Sequence, residues 1–583
     1  MKINIAFYSP AIDQGRSTRY KNTKLLMVNP TPYYLHGYFR KNYPEHEDKI
    51  KWLPSLLRPL STSELALYCI SNDVKILCVS LYIWNIDNIL RVIKNLNEEI
   101  SILGGTRVKI VAGGPSCDLE QNHDFIDHVI VGQGEKAWSD LLLDYLEISK
   151  LTTEASNIVH LVRDNKQKIY NFEFIRNIHY SPYLECEDLI EELLEIYQSD
   201  DVELGWPYET QRGCPYRCTF CDWNGGQSNK TQKRKNVDFN KELDFFAKHK
   251  IYSLHLSDAN FGMWDVDVDI MKKFVSLKRQ GHPFKFISYN LSKIINDNHK
   301  NIMKLIIENG FETPWIKLSA QDVHEDILAT IERPGMWIDI KNYGRELYSE
   351  YYDTNKIHKI WIELIIGMPG QTVERWITTL DEIYSNGFIP RTYQFLDLKG
   401  APVSYNKEYR KLHRIKSKLI YEVLDMSVVG NSVEDVFNNQ EENFKFQIVT
   451  CTKTFTENDF VKMSMIDQLY RCLFLSYKFN NYGLIDINWK WLKPIIQKFI
   501  TTVEFEKIYE KRCENFSKYH INAMDDCFGN IMCDGRDIKA IVGKNFNIID
   551  TCLDQSLMSI EHKKILMELW ESYKQHSILI SHL

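Results

Sequence analysis

Four stretches in the first 150 residues constrain the fold most: KINIAFY (2–8), DVKILCVSLYI (73–83), VKIVAGGPS (108–116) and HVIVGQGE (128–135). Each is a Val/Ile-rich run closed by glycine or a polar residue, and amphipathic helical stretches such as 85–100 and 136–146 lie between them. Strands that are apolar on both faces belong to a parallel sheet covered by helices on each side. Open sheets of this kind bind ligands outside the carboxyl ends of their strands. Those ends carry SLYIWN (80–85), AGGPS and VGQGE. Gly113, Gly114, Gly132 and Gly134 therefore either shape tight βα turns or let the backbone approach a ligand.

Residues 151–204 read as a linker region with its own helix, LIEELLEIY (189–197). A second strand–helix series starts near PYETQRGC (207–214) and continues through strands at 251–262, 284–290, 315–321, 359–370 and 391–398. Six βα units over 205–425 predict a partial (β/α)6 barrel related to the eight-fold one, with its chemistry on the loops after the strands. Beyond about 425 the pattern becomes mostly helical. Phe460, Met463, Ile466, Leu469 and Leu473 lie on one helical face behind a Thr/Asp start, and 559–576 reads as another helix.

At 583 residues the chain is too long for one core. A net charge of −7 gives no global field for nucleic acid or an anionic membrane, and NKTQKRKN (229–236) reads as a solvated loop. No apolar run is long enough to span a bilayer, and no signal-peptide pattern opens the chain. Thirteen cysteines, an odd number and mostly scattered singly, fit free thiols in a reducing cytoplasm. Cys513, Cys527, Cys533 and Cys552 are read in the same way, because their spacing matches no auxiliary cluster.

One group of cysteines is not scattered. QRGCPYRCTFCDWNGG (211–226) places Cys214, Cys218 and Cys221 within eight positions. Structural zinc needs four ligands, and disulfide exchange uses a pair. Iron–sulfur clusters normally take four cysteines, so three leave one iron open for another ligand.

Cys-x-x-x-Cys-x-aromatic-Cys, with Phe220 as the aromatic residue and an Arg-Gly-Cys-Pro lead-in, resembles the signature of the radical S-adenosylmethionine (SAM) superfamily. The resemblance implies a 4Fe-4S cluster on the three cysteines, SAM chelated at the open iron, and cleavage of SAM to a 5′-deoxyadenosyl radical. It runs from about 205 to 400. SDANFG (257–262) resembles the second-strand exit, with SDAN where Gly-Gly-Glu is usual, which leaves the contact to the SAM amino group open at Asp258 and Asn260. LSAQ (318–321) would turn Ser319 and Gln321 to SAM, although both can instead bond within the barrel. GMPGQT (367–372) would bring the backbone at Met368 near the adenine.

A parallel sheet ahead of such a barrel resembles the cobalamin-dependent class of the superfamily. The expected architecture is thus α/β: a Rossmann-like cobalamin-binding domain over 1–150, a TIM-like radical SAM barrel and a helical domain over 426–583. The corrinoid contacts implied are Ser80, Tyr82, Trp84, Gly113, Gly114, Gly132, Gly134 and Glu135. Asp-x-His-x-x-Gly, which supplies an axial histidine in many cobalamin proteins, is absent from 1–205, so Trp84 or Tyr82 would cover the lower face.

The activity implied is methylation of an unactivated carbon of a small-molecule or peptide substrate by way of methylcobalamin, with flavodoxin or ferredoxin as electron donor. Non-methylating radical chemistry, such as ring contraction or cyclisation, is the alternative within the class, and a first sheet that serves only for docking is the alternative outside it. Tyr289, Asn290, Glu363, Gln394 and Asp397 are the residues that strand alternation places toward substrate.

Overall fold

A computed structural model of the chain describes residues 2–519 apart from 11–12, 17–23, 83–84, 118–123, 151–157, 161–178, 200–201, 224–230, 235–236, 312–314, 423–443, 480–492 and scattered positions at 353–358 and 494–502. The chain divides into two compact units, residues 1–217 with 222–313, and residues 218–221 with 314–583.

The first unit contains two sheets. In chain order its strands are β1 (Ile3–Tyr8), β2 (Asp13–Arg16), β3 (Lys24–Met27), β4 (Ile50–Trp52), β5 (Val74–Ser80), β6 (Lys109–Gly113), β7 (His128–Ile130), β8 (Ile158–His160), β9 (Val202–Tyr208), β10 (Gln211–Arg212), β11 (Gln232–Lys233), β12 (Ser253–Phe261) and β13 (Lys285–Leu291). One sheet has the order β4-β1-β5-β6-β7-β8, parallel except for the last pair. Side chains alternate between its two faces as the pleat requires. Ile5, Phe7, Ile76, Cys78 and Val111 pack on the helices Thr31–Asn42 and Glu135–Tyr145. Ala6, Tyr8, Leu77, Val79, Ile110 and Ala112 pack on the helices Thr62–Ser71, Ile86–Lys94 and Leu96–Ile102. Burial on both faces is the physical origin of the uninterrupted apolar runs. The order is the flavodoxin-like form of the doubly wound sheet, whose connections part at β1 and β5 and open a crevice at their carboxyl ends.

The second sheet, β13-β12-β9-β3-β2, differs from expectation. Residues 13–16 and 24–27, expected in the first domain, pair here instead: β3 runs parallel to β9, with Leu26 opposite Leu204. The basic stretch at 229–236 is likewise not a solvated loop where it is described. β11 pairs antiparallel with β10, Lys233 bonds the buried Asp267, and Arg234 forms a buried ion pair with Glu242.

In the second unit β14 (Trp315–Gln321), β15 (Lys359–Ile366) and β16 (Ile389–Gln394) form a parallel sheet. The strands expected in one barrel thus lie as β9, β12 and β13 in one sheet and β14–β16 in another. β17 (Lys416–Glu422) and β18 (Phe444–Cys451) pair antiparallel across the boundary expected at 425. Phe460, Met463 and Ile466 are buried on the helix Glu457–Phe479, whose start is capped reciprocally by Thr456 and Asp459. The expected helix at 559–576 and Cys527, Cys533 and Cys552 lie outside the described residues. Among the described residues no helix is long and apolar enough to cross a membrane.

Gly114 follows β6 at φ +106, and a Cβ there would sit 2.5 Å from the Leu81 carbonyl oxygen and 2.7 Å from its nitrogen. Chain packing alone therefore demands glycine at this position. Gly114→Ala is expected to lower the urea midpoint by an amount equivalent to about 1–3 kcal/mol, with the slope unchanged. An unchanged midpoint would contradict that packing.

Candidate active site and ligand-binding residues

The lead-in to the cysteine loop is anchored by β12. The Asp258 carboxylate accepts the N–H groups of Thr210 and Gln211 at 2.8 and 3.0 Å and the Thr210 hydroxyl at 2.5 Å. Burial pushes its pKa up to about 7, while the bonds from Thr210 and Gln211 act in the opposite direction. Asp258 is thus turned into the fold, with its carboxylate engaged by Thr210 and Gln211. Asn260 is equally buried; its Nδ2 donates to Cys214 Sγ at 3.1 Å and its carbonyl accepts Gln211 Nε2 at 2.7 Å. Gln211 Oε1 in turn accepts the Trp264 indole N–H at 2.6 Å. Asn260 therefore acts on the first cysteine.

Arg212 stands two residues before Cys214. It donates to Glu135 at 2.5 Å and to Glu209 at 2.9 Å, and its guanidinium lies 5.1 Å from the Tyr34 ring centre. Burial disfavours its charge, but the two carboxylates outweigh that and raise its pKa above the ordinary arginine value. Cys214 and Cys218 are buried, Cys221 is partly exposed, and none of the three is in a disulfide. Cys214 belongs to the first unit and Cys218–Cys221 to the second. Burial also raises the pKa of Asp222, next to Cys221, to about 6.

In the second unit the turn at 218–221 is pinned by Thr219. Its N–H donates to Ile331 O at 3.0 Å, its carbonyl accepts Val403 N–H at 2.8 Å, and its hydroxyl lies 3.2 Å from that of Tyr409. Phe220 is partly exposed. Ser319, Glu363 and Arg391 sit side by side across β14–β16, with the Ser319 hydroxyl 2.5 Å from Glu363. Arg391 lies 5.4 Å from the Tyr393 ring centre. Gln321 takes φ +71 at the exit of β14, an uncommon value for a residue other than glycine, and bonds Arg333, which also donates to Ser319 O at 2.7 Å. In the GMPGQ loop Gln371 Oε1 accepts Gly367 N–H at 2.8 Å and Met368 N–H at 3.0 Å. Its Nε2 donates to Asp322 at 2.8 Å and to Ile365 O at 2.9 Å. Met368 itself is fully buried.

At the β1/β5 exits of the first sheet, Ser9 accepts Asn29 Nδ2 at 2.9 Å, and Asn85 closes the β5 exit, its Oδ1 accepting Tyr82 N–H at 2.8 Å and its Nδ2 donating to Ser80 O at 3.1 Å. Leu81 N–H bonds Gly113 O at 2.7 Å and Leu81 O accepts Ser116 N–H at 3.0 Å, which stitches the β5 and β6 exits together. Gly113 has open space: the nearest atom to a Cβ there is Ile130 O at 3.6 Å. Gly132 takes φ +86, and a Cβ on Gly134 would lie 3.1 Å from Leu35. Glu135, expected to face a ligand, points its carboxylate at Arg212 instead. Trp84 lies outside the described residues.

Of the residues expected to line substrate, Glu363, Asn290 and Gln394 are only partly buried. Tyr289 is turned into the core beside Phe286, with its hydroxyl 4.0 Å from Met303 Sδ. The β12–β13 register slips between Phe286 and Ser288, and such a slip sends the following side chains to the other face. Asp397 is held by Ser417 and by Arg410 at 2.8 Å, so it shapes the β16 exit. Gln371, Arg333 and the pairing of Arg212 were missed by the sequence reading. Gln371 could have been noticed as a polar residue closing a glycine-rich exit, whereas nothing local announces a partner for Arg212 that lies 77 positions away.

Residues 208–393 match the Radical SAM superfamily, so the chain carries a radical SAM domain. It is 27% identical over 346 residues to the 2-(S-pantetheinyl)-carbapenam-3-carboxylate methyltransferase of Streptantibioticus cattleyicolor, covering 57% of this chain and 48% of the relative. It is 26% identical over 379 residues to the cobalamin-dependent radical SAM methyltransferase TokK of Streptomyces tokunonensis, covering 62% and 53%. The chain thus spans about half the length of these two curated relatives. Its fold is similar to that of the radical SAM methyltransferase TsrM from Kitasatospora setae, solved with cobalamin and a [4Fe-4S] cluster (TM-score 0.53, 12% identity, 89% of this chain and 99% of that one). It is also similar to the cobalamin-dependent radical enzyme OxsB (TM-score 0.52, 12% identity, 98% and 83%).

Two outcomes follow from this hydrogen bonding. The folded protein holds the Asp258 proton between the ordinary aspartate value and about 7, so that stability is full at low pH and lost as pH rises through 7. Asp258→Asn carries no such proton, and its melting temperature relative to wild type is expected to rise by roughly 2 °C between pH 6 and pH 8. Gln371→Glu keeps the acceptor for Gly367 and Met368 but loses the donor to Asp322 and sets two carboxylates together. At pH 7.5 it is expected to cost about 1–3 kcal/mol in urea denaturation, and acidification should restore part of that.

Proposed function

We propose that this chain, with its radical SAM domain, is a cobalamin-dependent enzyme that methylates an unactivated carbon of a small-molecule or peptide substrate. The observation that carries the reading is the three-cysteine signature inside a matched radical SAM domain, preceded by a doubly wound sheet whose exits at Ser80–Tyr82 and Gly113 mark the crevice side. The similarity to two methyltransferases, one of them a cobalamin-dependent radical SAM enzyme, supports the choice of reaction.

The donor set fits the cofactors. Cys214, Cys218 and Cys221, none of them in a disulfide, would hold a 4Fe-4S cluster, and the Asn260 amide is already aimed at Cys214 Sγ. Hydrogen bonds to cluster sulfurs raise its reduction potential. Ser319, Glu363 and the backbone at Gly367–Met368 would hold SAM, and Ser80, Tyr82 and Gly113 would meet the corrinoid. When bound, these groups supply reductive SAM cleavage, hydrogen abstraction and the methyl group. The protein's share is placement and exclusion of water. Asp258 fixes Thr210 and Gln211 ahead of the first cysteine. Thr219 fixes the turn that carries the other two, and Gln371 holds the GMPGQ loop so that its backbone groups stay where the fold puts them. Asn290 in the first unit, and Glu363 and Gln394 in the second, are each partly exposed candidates for contact with substrate, and reducing equivalents would come from a flavodoxin or ferredoxin.

Anaerobic reconstitution with iron, sulfide and cob(II)alamin, followed by EPR and by assay of SAM cleavage to 5′-deoxyadenosine, tests the reading. Stoichiometric corrinoid and reductant-dependent 5′-deoxyadenosine are expected, and Cys221→Ala should abolish the second. Absence of bound corrinoid would overturn the cobalamin assignment. Asn260→Ala should keep its iron content while the cluster's midpoint potential moves to more negative values in a redox titration; an unchanged potential would show that the amide does not reach the cluster sulfur.

A further inference from the structure

Glu135 and Arg212 belong to different parts of the first unit. Glu135 is the first residue of the helix Glu135–Tyr145, immediately behind the Val131–Gly134 loop at the β7 exit. Arg212 is the last residue of β10, with Gly213 at φ +88 separating it from Cys214. Their side chains meet at 2.5 Å with Glu135 only 4% exposed and Arg212 20% exposed. Glu209 and the Tyr34 ring complete the surroundings of the guanidinium, and Tyr34 is itself on the helix Thr31–Asn42 that packs the same face of the first sheet.

We infer that Glu135 and Arg212 form a positioning pair that ties the placement of the cysteine loop to the state of the ligand-side loop 131–135. A guanidinium shared between two carboxylates in a poorly hydrated place has few alternative geometries, because a fork donor can neither rotate away nor be left unpaired without a large desolvation cost. A shift of the 131–135 loop moves the Glu135 carboxylate, and Arg212 can follow only by carrying the backbone of 211–213. Asp258 holds Thr210 and Gln211 from the other side, so the displacement falls on the Gly213–Cys214 link, where a glycine at positive φ supplies the hinge. The pair contacts neither substrate nor reacting atoms. The inference rests on the proposed corrinoid reading of the first sheet.

Hydrogen–deuterium exchange on the full-length, cluster-reconstituted protein tests it, with hydroxocobalamin as the probe. In wild type, hydroxocobalamin is expected to slow exchange both at 131–135 and at 209–217. In Glu135→Gln it should slow exchange at 131–135 alone, with protection of 209–217 lost and the EPR line shape of the reduced cluster broadened at unchanged iron content. If protection reaches 209–217 equally in both proteins and the line shapes coincide, the pair is only a structural contact and the inference is overturned while the corrinoid reading stands. If hydroxocobalamin protects nothing in wild type, the corrinoid reading fails and the inference with it. Should Glu135→Gln not fold, Arg212→Lys keeps the charge without the fork and is judged by the same two outcomes.

Discussion

The grip of two carboxylates on the three residues Thr210–Arg212 is the constraint on which the cysteine loop depends. Asp258 takes both backbone N–H groups and the hydroxyl offered by Thr210 and Gln211, and Glu135 takes the guanidinium of Arg212. One comes from the sheet that contains β9 and the other from the helix behind β7. A loop that must present thiols in fixed places cannot rely on its own short-range contacts, since glycine at 213 leaves it free to swing. Long-range anchors on Thr210–Arg212 confine that freedom to the Gly213–Cys214 link.

Much the same economy governs the other loops. Gln371 satisfies two backbone N–H groups, one carbonyl and one carboxylate with a single amide, and Thr219 ties its turn to two separate segments. Buried polar groups must find partners, so residues that look like ligand contacts from the sequence are often consumed in shaping the loop that carries the contact. Asp258, Asp397 and Glu135 are of this kind. Ser319, Glu363, Asn290 and Gln394, by contrast, stay partly exposed.

The sheets also draw on more of the chain than a reading by segments suggests. β3 is four residues long and β2 is no longer, yet together they extend the sheet built on β9 and β12. Such short strands have no periodicity to speak of, and their identity is decided by the edges they cover, β3 that of β9 and β2 that of β3. The β17–β18 hairpin joins residues on either side of an apparent change in composition for a similar reason: pairing is a property of partners, and the partner of Leu419 is Gln447.

From the sequence alone, the class of fold, the parallel first sheet and the chemistry of the three cysteines were legible, because each rests on a local pattern. Apolar runs such as 73–83 are written by burial on both faces, and thiols at 214, 218 and 221 are written by the need for three donors in one loop. What only the tertiary structure decided is which polar side chains are free. Glu135, Asp258 and Tyr289 all lie in segments whose function was anticipated, but a carboxylate's role is set by the donor it meets. Arg212 meets Glu135 across 77 positions, Thr210 meets Asp258 across 48, and a register slip opposite Phe286 turns Tyr289 inward. Those are long-range pairings of buried charge and backbone, and no local spacing encodes them.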